Sequence, residues 1–347
     1  MPPAPPNSDD YAIVVGVDRY SADIPQLQGS VNDANLFQQW LTHPAGGGLP
    51  VANVSLFPSP AVGALQPVKD QVEDAIGRFV VDALNGKPPK RRIYLYFSGH
   101  GMTPRGDSDE CALLMANATQ LFLGRCVPGR RAARSLRNPA LFAEVVLLMD
   151  CCREVTGSAE AVLSFPDQAD PTAAQNVRWL YGFATKWSAL AAARQLPHPL
   201  DVGAPPLWHG VFTHAVLEGL SRGVNAGGMV DAASLARFVK ERTQDLLPQE
   251  DNQRPDFQSD GGRPIVFGPG TWTKVKVTLA NPALGFQIRD GLNIATRLVL
   301  PVSAGGGNVL FVQLPPGRYL FAAPATGDDW IRTRIVSVLG GDDHVEL

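Results

Sequence analysis

The stretch that decides the fold is Arg91-Arg92-Ile93-Tyr94-Leu95-Tyr96-Phe97-Ser98-Gly99-His100-Gly101. A run of β-formers stops abruptly at Ser-Gly-His-Gly, as a buried strand does when it reaches the rim of a sheet and presents one histidine to a cleft. About fifty residues on, the pattern recurs. Glu144-Val145-Val146-Leu147-Leu148-Met149 reads as a second buried strand, and it ends in Asp150-Cys151-Cys152-Arg153. Histidine on one strand end and cysteine on the next are the parts of a thiol nucleophile and its base. Successive residues of an extended chain face opposite ways, so one cysteine faces the core and the other the cleft. The residues alone do not say which.

Outward from this pair, strands and helices alternate. Tyr11–Val17 is a short Val- and Ile-rich run expected as a central parallel strand. Ser30-Val31-Asn32-Asp33-Ala34 opens an amphipathic helix carrying Phe37, Trp40 and Leu41, with Asn32 or Asp33 as its N-cap. Val54–Phe57 reads as a strand, and Val68–Leu84 as a helix with an apolar stripe from Val68 to Leu84. Arg125–Arg137 is read as an arginine-rich helix with a solvated face, and Glu154–Asn176 as a loop. Val177–Phe183 is a further strand, and Gln195–Pro206 is loop-like. Trp208–Leu220 and Ala232–Leu246 have helical periods, and Arg263–Phe267 is the candidate to close the sheet. Strands alternating with helices predict a doubly wound, mostly parallel α/β sheet.

The texture changes near Gly268–Thr271. Beyond it lie short apolar runs, Val275–Leu279, Phe286–Arg289, Thr296–Val302, Val309–Leu314, Tyr319–Ala322 and Ile331–Val338, separated by Gly- and Pro-rich turns. That spacing predicts a small antiparallel β-sandwich or barrel over 271–347. The expected organisation is a disordered lead-in over 1–9, an α/β domain over 10–268 and this accessory β-domain.

Bulk properties exclude some functions. The 347 residues carry a formal net charge of -3, which offers no polyanion-binding surface and argues against nucleic acid. No apolar run nears the roughly 20 residues that cross a bilayer. The start lacks the basic and apolar regions of a signal peptide. A cytoplasmic protein with reduced thiols is expected. The four cysteines, Cys111, Cys126, Cys151 and Cys152, include no CxxC pair, and Cys111 and Cys126 are read as small buried residues. His43, His198, His209, His214 and His344 lack metal-ligand spacing and are read as surface or packing residues.

In this order, Tyr11–Tyr20, Gly29–Ala34, Phe97-Ser98-Gly99-His100-Gly101, Leu148–Cys152 and, more weakly, Gly210–Ala215 resemble the caspase-like cysteine peptidases, in particular the metacaspase and prokaryotic caspase-homologue branch. The resemblance covers roughly residues 10–268. It implies a Cys–His dyad at the carboxyl ends of neighbouring strands, where open α/β sheets place their sites. His100 matches the general base and acid. Cys152, two residues after Asp150, matches the nucleophile, which implies that Cys151 faces the core. The backbone N–H groups of Gly101 and Cys152 match the oxyanion donors, and a glycine at 101 allows close backbone approach. Ser30, Asp33, Ser98 and Asp150 match an acidic pocket for the residue before the scissile bond, which implies protein or peptide substrates cut after Arg or Lys.

Two plainer readings stand beside that pocket: Asp33 as a helix cap and Asp150 as an orienting group for backbone. The chain departs from the branch after the nucleophile, where Arg153-Glu154-Val155 replaces the usual His-Ser-Gly. Metacaspases often bind calcium, and Asp107, Asp109 and Glu110 are the hard-oxygen candidates, but no full ligand set is readable. No cofactor is expected, and the three are read as a solvated acidic loop. Arg130-Arg131 and Arg153 are candidate self-cleavage points if specificity is basic. Prokaryotic relatives are linked to stress, defence or cell-death pathways. The alternatives are a silent adaptor with the C-terminal β-domain as its recognition module, or a caspase-like peptidase with Asp specificity.

Overall fold

In the computed structural model the described residues are 7–347, less 105, 156–159, 165–170, 187–189, 202, 226, 249–250, 292–296, 299–301, 315–316, 328 and 339–342. The chain divides into two compact units, residues 1–217 with 243–265 and residues 218–242 with 266–347.

The first unit is built on a six-stranded sheet. Its strands are β1 (Asp10–Gly16), β2 (Val54–Pro58), β3 (Lys90–Ser98), β4 (Phe142–Asp150), β5 (Arg178–Phe183) and β6 (Asp256–Ser259), in the order β6-β5-β4-β3-β1-β2. All neighbours are parallel except β6, which runs antiparallel to β5. Along the chain, the longer helices among the described residues are α1 (Ser30–Thr42), α2 (Lys69–Leu84), α3 (Gly129–Arg137), α4 (Val211–Arg222) and α5 (Ala232–Leu246).

The strands are apolar on both faces because helices cover both. Ile13, Val15, Ile93, Leu95, Phe97, Val145, Leu147 and Met149 share one core with Val72, Ile76 and Phe79 of α2 and Ala132, Ala133 and Leu136 of α3. The alternate residues point to the other face. There Tyr96 stacks on Phe37 of α1 at 4.4 Å between centroids, and its hydroxyl is bonded to that of Thr213 in α4. At the strand starts, buried Glu144 is ion-paired with Arg92 and Arg178.

Several segments differ from the sequence reading, each for a local reason. The edge of the sheet is formed by polar Asp256–Ser259, whereas Val266–Pro269 pairs with Met229–Asp231. Leu207–Gly210 is a strand paired with Ala193–Leu196, so α4 begins only at Val211 and part of the expected loop 195–206 is extended chain. Cys126–Pro128 is likewise a strand, and α3 starts at Gly129. The α3 arginines are not a solvated face: Arg130 lies over Tyr181 and Phe183, and Arg137 over Trp179. Cations on aromatic faces let this helix bury its small residues while its long stems cover β5. Of the histidines read as surface or packing residues, His209 and His214 are packing residues: they are buried, with ring centroids 4.9 Å apart, and burial lowers the pKa of His209 to about 4. Of the expected loop 154–176, residues 156–159 and 165–170 lie outside the described residues. Glu154–Val155 is extended and Pro171–Ala174 forms one helical turn. Residues 1–6 of the expected lead-in also lie outside them.

In the second unit, two four-stranded sheets share a core that includes Val275, Val277, Val312, Tyr319, Phe321 and Val338. One is Val302–Gly306, Val309–Leu314, Thr273–Thr278 and Asp343–Glu346; the other is Arg297–Leu298, Gln287–Asp290, Gly317–Ala323 and Arg332–Val338. This is the expected sandwich, with one correction. Asp343–Glu346 pairs with Thr273–Thr278 in parallel, so the unit is not wholly antiparallel. The expected strand 296–302 includes 296 and 299–301, which lie outside the described residues. Among the described residues, no helix is long and apolar enough to cross a membrane.

Candidate active site

Strand register brings the two motifs together. Ser98 stands opposite Asp150 at the ends of β3 and β4. Beyond the ends, Met102 of Gly101–Thr103 pairs in parallel with Glu154. Both rungs carry the same offset of 52 residues. His100 and Cys152 share that offset, so they lie at one level between the two rungs. A Cβ built on Gly101 would lie 2.5 Å from the Cys152 carbonyl oxygen and 2.7 Å from Cys151 Sγ. The space that a side chain would need at 101 is therefore filled by this chain's own cysteine segment.

Burial separates the two cysteines that the residues alone left equivalent. Cys151 is buried with its Sγ 3.4 Å from that of Cys111, whereas Cys152 is half-buried. The backbone N–H of Ala191 donates to Cys152 Sγ at 3.3 Å.

His100 is held at four points. Its backbone N–H donates to the Tyr20 hydroxyl at 2.8 Å and its carbonyl accepts from Leu114 N–H. Its ring packs on Tyr20 with centroids 4.9 Å apart, and its Nε2 lies 2.9 Å from the carbonyl oxygen of Pro25. A carbonyl only accepts, so Nε2 carries the proton in this contact. Tyr20 and Pro25 come from one loop whose ends are tied. The Asp18 carboxylate accepts the N–H groups of Ser30 and Val31 at the start of α1. Asp18 therefore does the capping that was expected of Asn32 or Asp33; the α1 terminus has no side-chain cap of its own.

Asp33 is thereby free for another task. Its carboxylate accepts the Ser98 hydroxyl at 2.8 Å and the Gly210 N–H at 2.9 Å. Asp150 accepts both the N–H and the hydroxyl of Thr213, in the first turn of α4. Asp33, Asp150, Ser98 and Ser30 are all at most 7% exposed, and Ser98, bonded to Asp33 and opposite Asp150 in the register, joins the two carboxylates in one interior corner. Burial, and secondarily the neighbouring Asp150, push the Asp33 carboxyl well above its usual range. Burial raises Asp150 to about 6 against the Thr213 hydrogen bonds. Two carboxylates this close resist joint ionisation, and an arriving cation would relieve that cost.

The loop after the nucleophile is anchored by Arg153. It is buried, stacks over Phe183, donates to the carbonyls of Ser108 and Asp109, and lies 3.7 Å from Asp256. A side chain so enclosed is not a cleavage point in the folded chain, and Arg130 and Arg131 lie inside α3. Glu110 is also not solvated. It is fully buried and accepts the N–H groups of Cys111, Arg130 and Arg131, which satisfies the start of α3. Its oxygens are committed to protein donors. Among the described residues, no group of three or more His, Cys, Asp or Glu side chains has metal-holding geometry.

Sequence reasoning missed Asp18, Tyr20, Pro25 and Thr213. Pro25 acts through a backbone oxygen and leaves no trace in residue type. Thr213, however, lies within the weak Gly210–Ala215 motif, and Tyr20 closes the Tyr11–Tyr20 segment.

Residues 9–263 match the caspase domain of the C14 peptidases. The chain belongs to the caspase-domain peptidase family. A protein from a Desulfuromonadales bacterium described as a probable protease is 26% identical over 251 residues. That likeness covers 67% of this chain and 29% of the relative, so the chain spans under a third of that protein's length. Caspase-1 from Spodoptera frugiperda is 15% identical, with a TM-score of 0.47 over 76% of this chain and 91% of that one. The structure titled pro-sf-caspase-1 is 14% identical, with a TM-score of 0.42 over the same shares.

Proposed function

We propose that the chain is a cysteine endopeptidase that cuts after Arg or Lys. The observation that supports this reading is the shared register offset: Ser98 faces Asp150 and Met102 faces Glu154, with His100 and Cys152 midway in sequence between those rungs. In the proposed reaction the Cys152 thiolate attacks the scissile carbonyl. The N–H groups of Gly101 and Cys152 receive the developing oxyanion. His100 passes a proton from Nδ1 to the leaving amine, then takes one from water as the thioester is hydrolysed. Asp33 and Asp150, with Ser98 and Ser30, form the pocket for the basic side chain. A guanidinium there gains charge-assisted hydrogen bonds and offsets the repulsion between the carboxylates. An aspartate in the same place would add a third negative group. The four cysteines are free, in keeping with a reducing compartment such as the cytoplasm.

The test is an Arg-terminated peptidyl ketone carrying a fluorophore, with peptide substrates ending in Arg, Lys or Asp. Labelling of the wild type, its loss in Cys152→Ala but not in Cys151→Ala, and cleavage after Arg or Lys are expected. Labelling that survives Cys152→Ala removes the assigned nucleophile, and cleavage after Asp alone removes the acidic pocket.

A further inference from the structure

The proposed chemistry uses Cys152 and leaves Cys111 and Cys151 without a task. Both side chains are buried, at 0% and 2% exposure, and their sulfurs are 3.4 Å apart. They come from different parts of the fold. Cys111 precedes the short strand Ala112–Leu114, which pairs with Gly101–Thr103, and Cys151 follows the end of β4. Forty residues separate them in sequence. Cys111 Sγ also lies 3.9 Å from the carbonyl oxygen of Cys152, and Cys151 Sγ borders the α-carbon of Gly101. The thiol pair thus lies directly behind the two backbone segments assigned as oxyanion donors. Sulfurs at this separation need a further approach of more than an ångström to reach a bond length of about 2.05 Å, so closure shifts the segments that carry them.

We propose that Cys111 and Cys151 are a redox modification site, a dithiol that closes to a disulfide behind the nucleophile under hydrogen peroxide. Each thiol gives up one proton and one electron, the S–S bond forms, and the peroxide is reduced to two waters. The intermediate is a sulfenic acid on one sulfur, from which the other sulfur displaces water. Closure draws Cys151 toward Cys111 and moves the backbone that Gly101 rests on. The predicted effect on hydrolysis rests on the reading of Cys152 and Gly101 given above; formation of the bond does not.

The experiment uses the full chain carrying Cys152→Ala, which removes the exposed thiol and the activity together. After hydrogen peroxide treatment, remaining thiols are capped with N-ethylmaleimide in denaturant, and the chain is digested and analysed by mass spectrometry without reductant. A linked peptide pair containing Cys111 and Cys151, cleaved by a phosphine reductant, with Cys126 capped singly, is expected. Capped Cys111 and Cys151 after peroxide, or a link from either to Cys126, overturns the proposal. Should the variant fail to fold, the wild type with Cys152 alkylated by iodoacetamide under native conditions serves instead. In wild type, formation of the link is expected to lower turnover at least tenfold, reversibly. A linked pair in a chain that never cleaves peptides would overturn the peptidase reading and leave this site standing.

Discussion

The Asp150 carboxylate leaves no room for a side chain on Gly210: a Cβ there would fall well inside the van der Waals radius of Oδ2. The same glycine gives its N–H to Asp33. Gly210 therefore touches both acidic groups. Gly210→Ala is expected to displace Asp150 and cost about 1–3 kcal/mol, the usual range for overpacking, read from urea unfolding. It should also raise KM for Arg peptides. An unchanged unfolding midpoint would show that the corner yields easily.

Asp150 gives a pH signature. Its folded pKa of about 6 lies above the ordinary 3.8, so the folded chain binds a proton more tightly than the unfolded one. Its contribution to stability is full below 3.8 and is lost as pH rises through about 6. Asp33 acts in the same direction. Asp150→Asn keeps an acceptor for Thr213 without the charge. It should gain on the order of 1–3 kcal/mol over wild type at pH 8, because each tenfold change in proton affinity is worth about 1.4 kcal/mol. That advantage should vanish below pH 4, while KM for Arg peptides rises at least tenfold. Urea unfolding at several pH values decides it; a variant less stable than wild type at pH 8 contradicts the argument.

Glu110 serves three backbone donors from a fully buried position. Glu110→Ala should cost about 2–4 kcal/mol, since buried N–H groups lose their partners at about 1–3 kcal/mol each with partial relief by water. Glu110→Gln should recover a good part. Because both Glu110 oxygens are engaged, added calcium should leave the melting temperature unchanged; a clear rise would point to a site using Glu110.

Tyr20→Phe removes the acceptor for the His100 N–H and keeps the ring contact. A loss of about 1 kcal/mol in stability is expected. In turnover, kcat should fall several-fold with KM nearly constant, as for a group that positions the proton carrier without touching substrate. A change confined to KM would mean that Tyr20 acts on substrate binding instead.

Much of the sheet was legible because β1, β3 and β4 are covered on both faces. Short uninterrupted apolar runs bounded by turn residues are what such coverage produces. α1 and α2 were legible because each buries one stripe. Edge pairing was not legible: Arg263–Phe267 is the more apolar segment, yet Asp256–Ser259 completes the sheet, and its Asp256, Phe257 and Gln258 side chains are met by Arg153, Phe212 and Arg130, partners distant in sequence. α3 misled because arginine counts as polar in any periodicity, whereas Arg130 and Arg137 lie on aromatic rings. In the proposed site, His100, Cys152, Ser30, Asp33, Ser98 and Asp150 all lie in local motifs, which is why the sequence could nominate them. Asp18 and Tyr20 lie in the Tyr11–Tyr20 segment, but their tasks, like that of Pro25, depend on a loop folding back across the sheet end, a long-range relation that residue type does not report.

Asp18 closes the circuit 18–31 by gripping the start of α1 while its own carbonyl receives the Leu27 N–H. A loop pinned at both ends has few conformations left to explore, so the oxygens of Tyr20 and Pro25 wait in place for the imidazole. If His100 carries the proton as proposed, the entropy of orienting it is thereby spent when the chain folds and not in every turnover. Loosening this distant clasp would spread His100 over many orientations and slow each catalytic cycle, while the intrinsic nucleophilicity of the sulfur stayed the same.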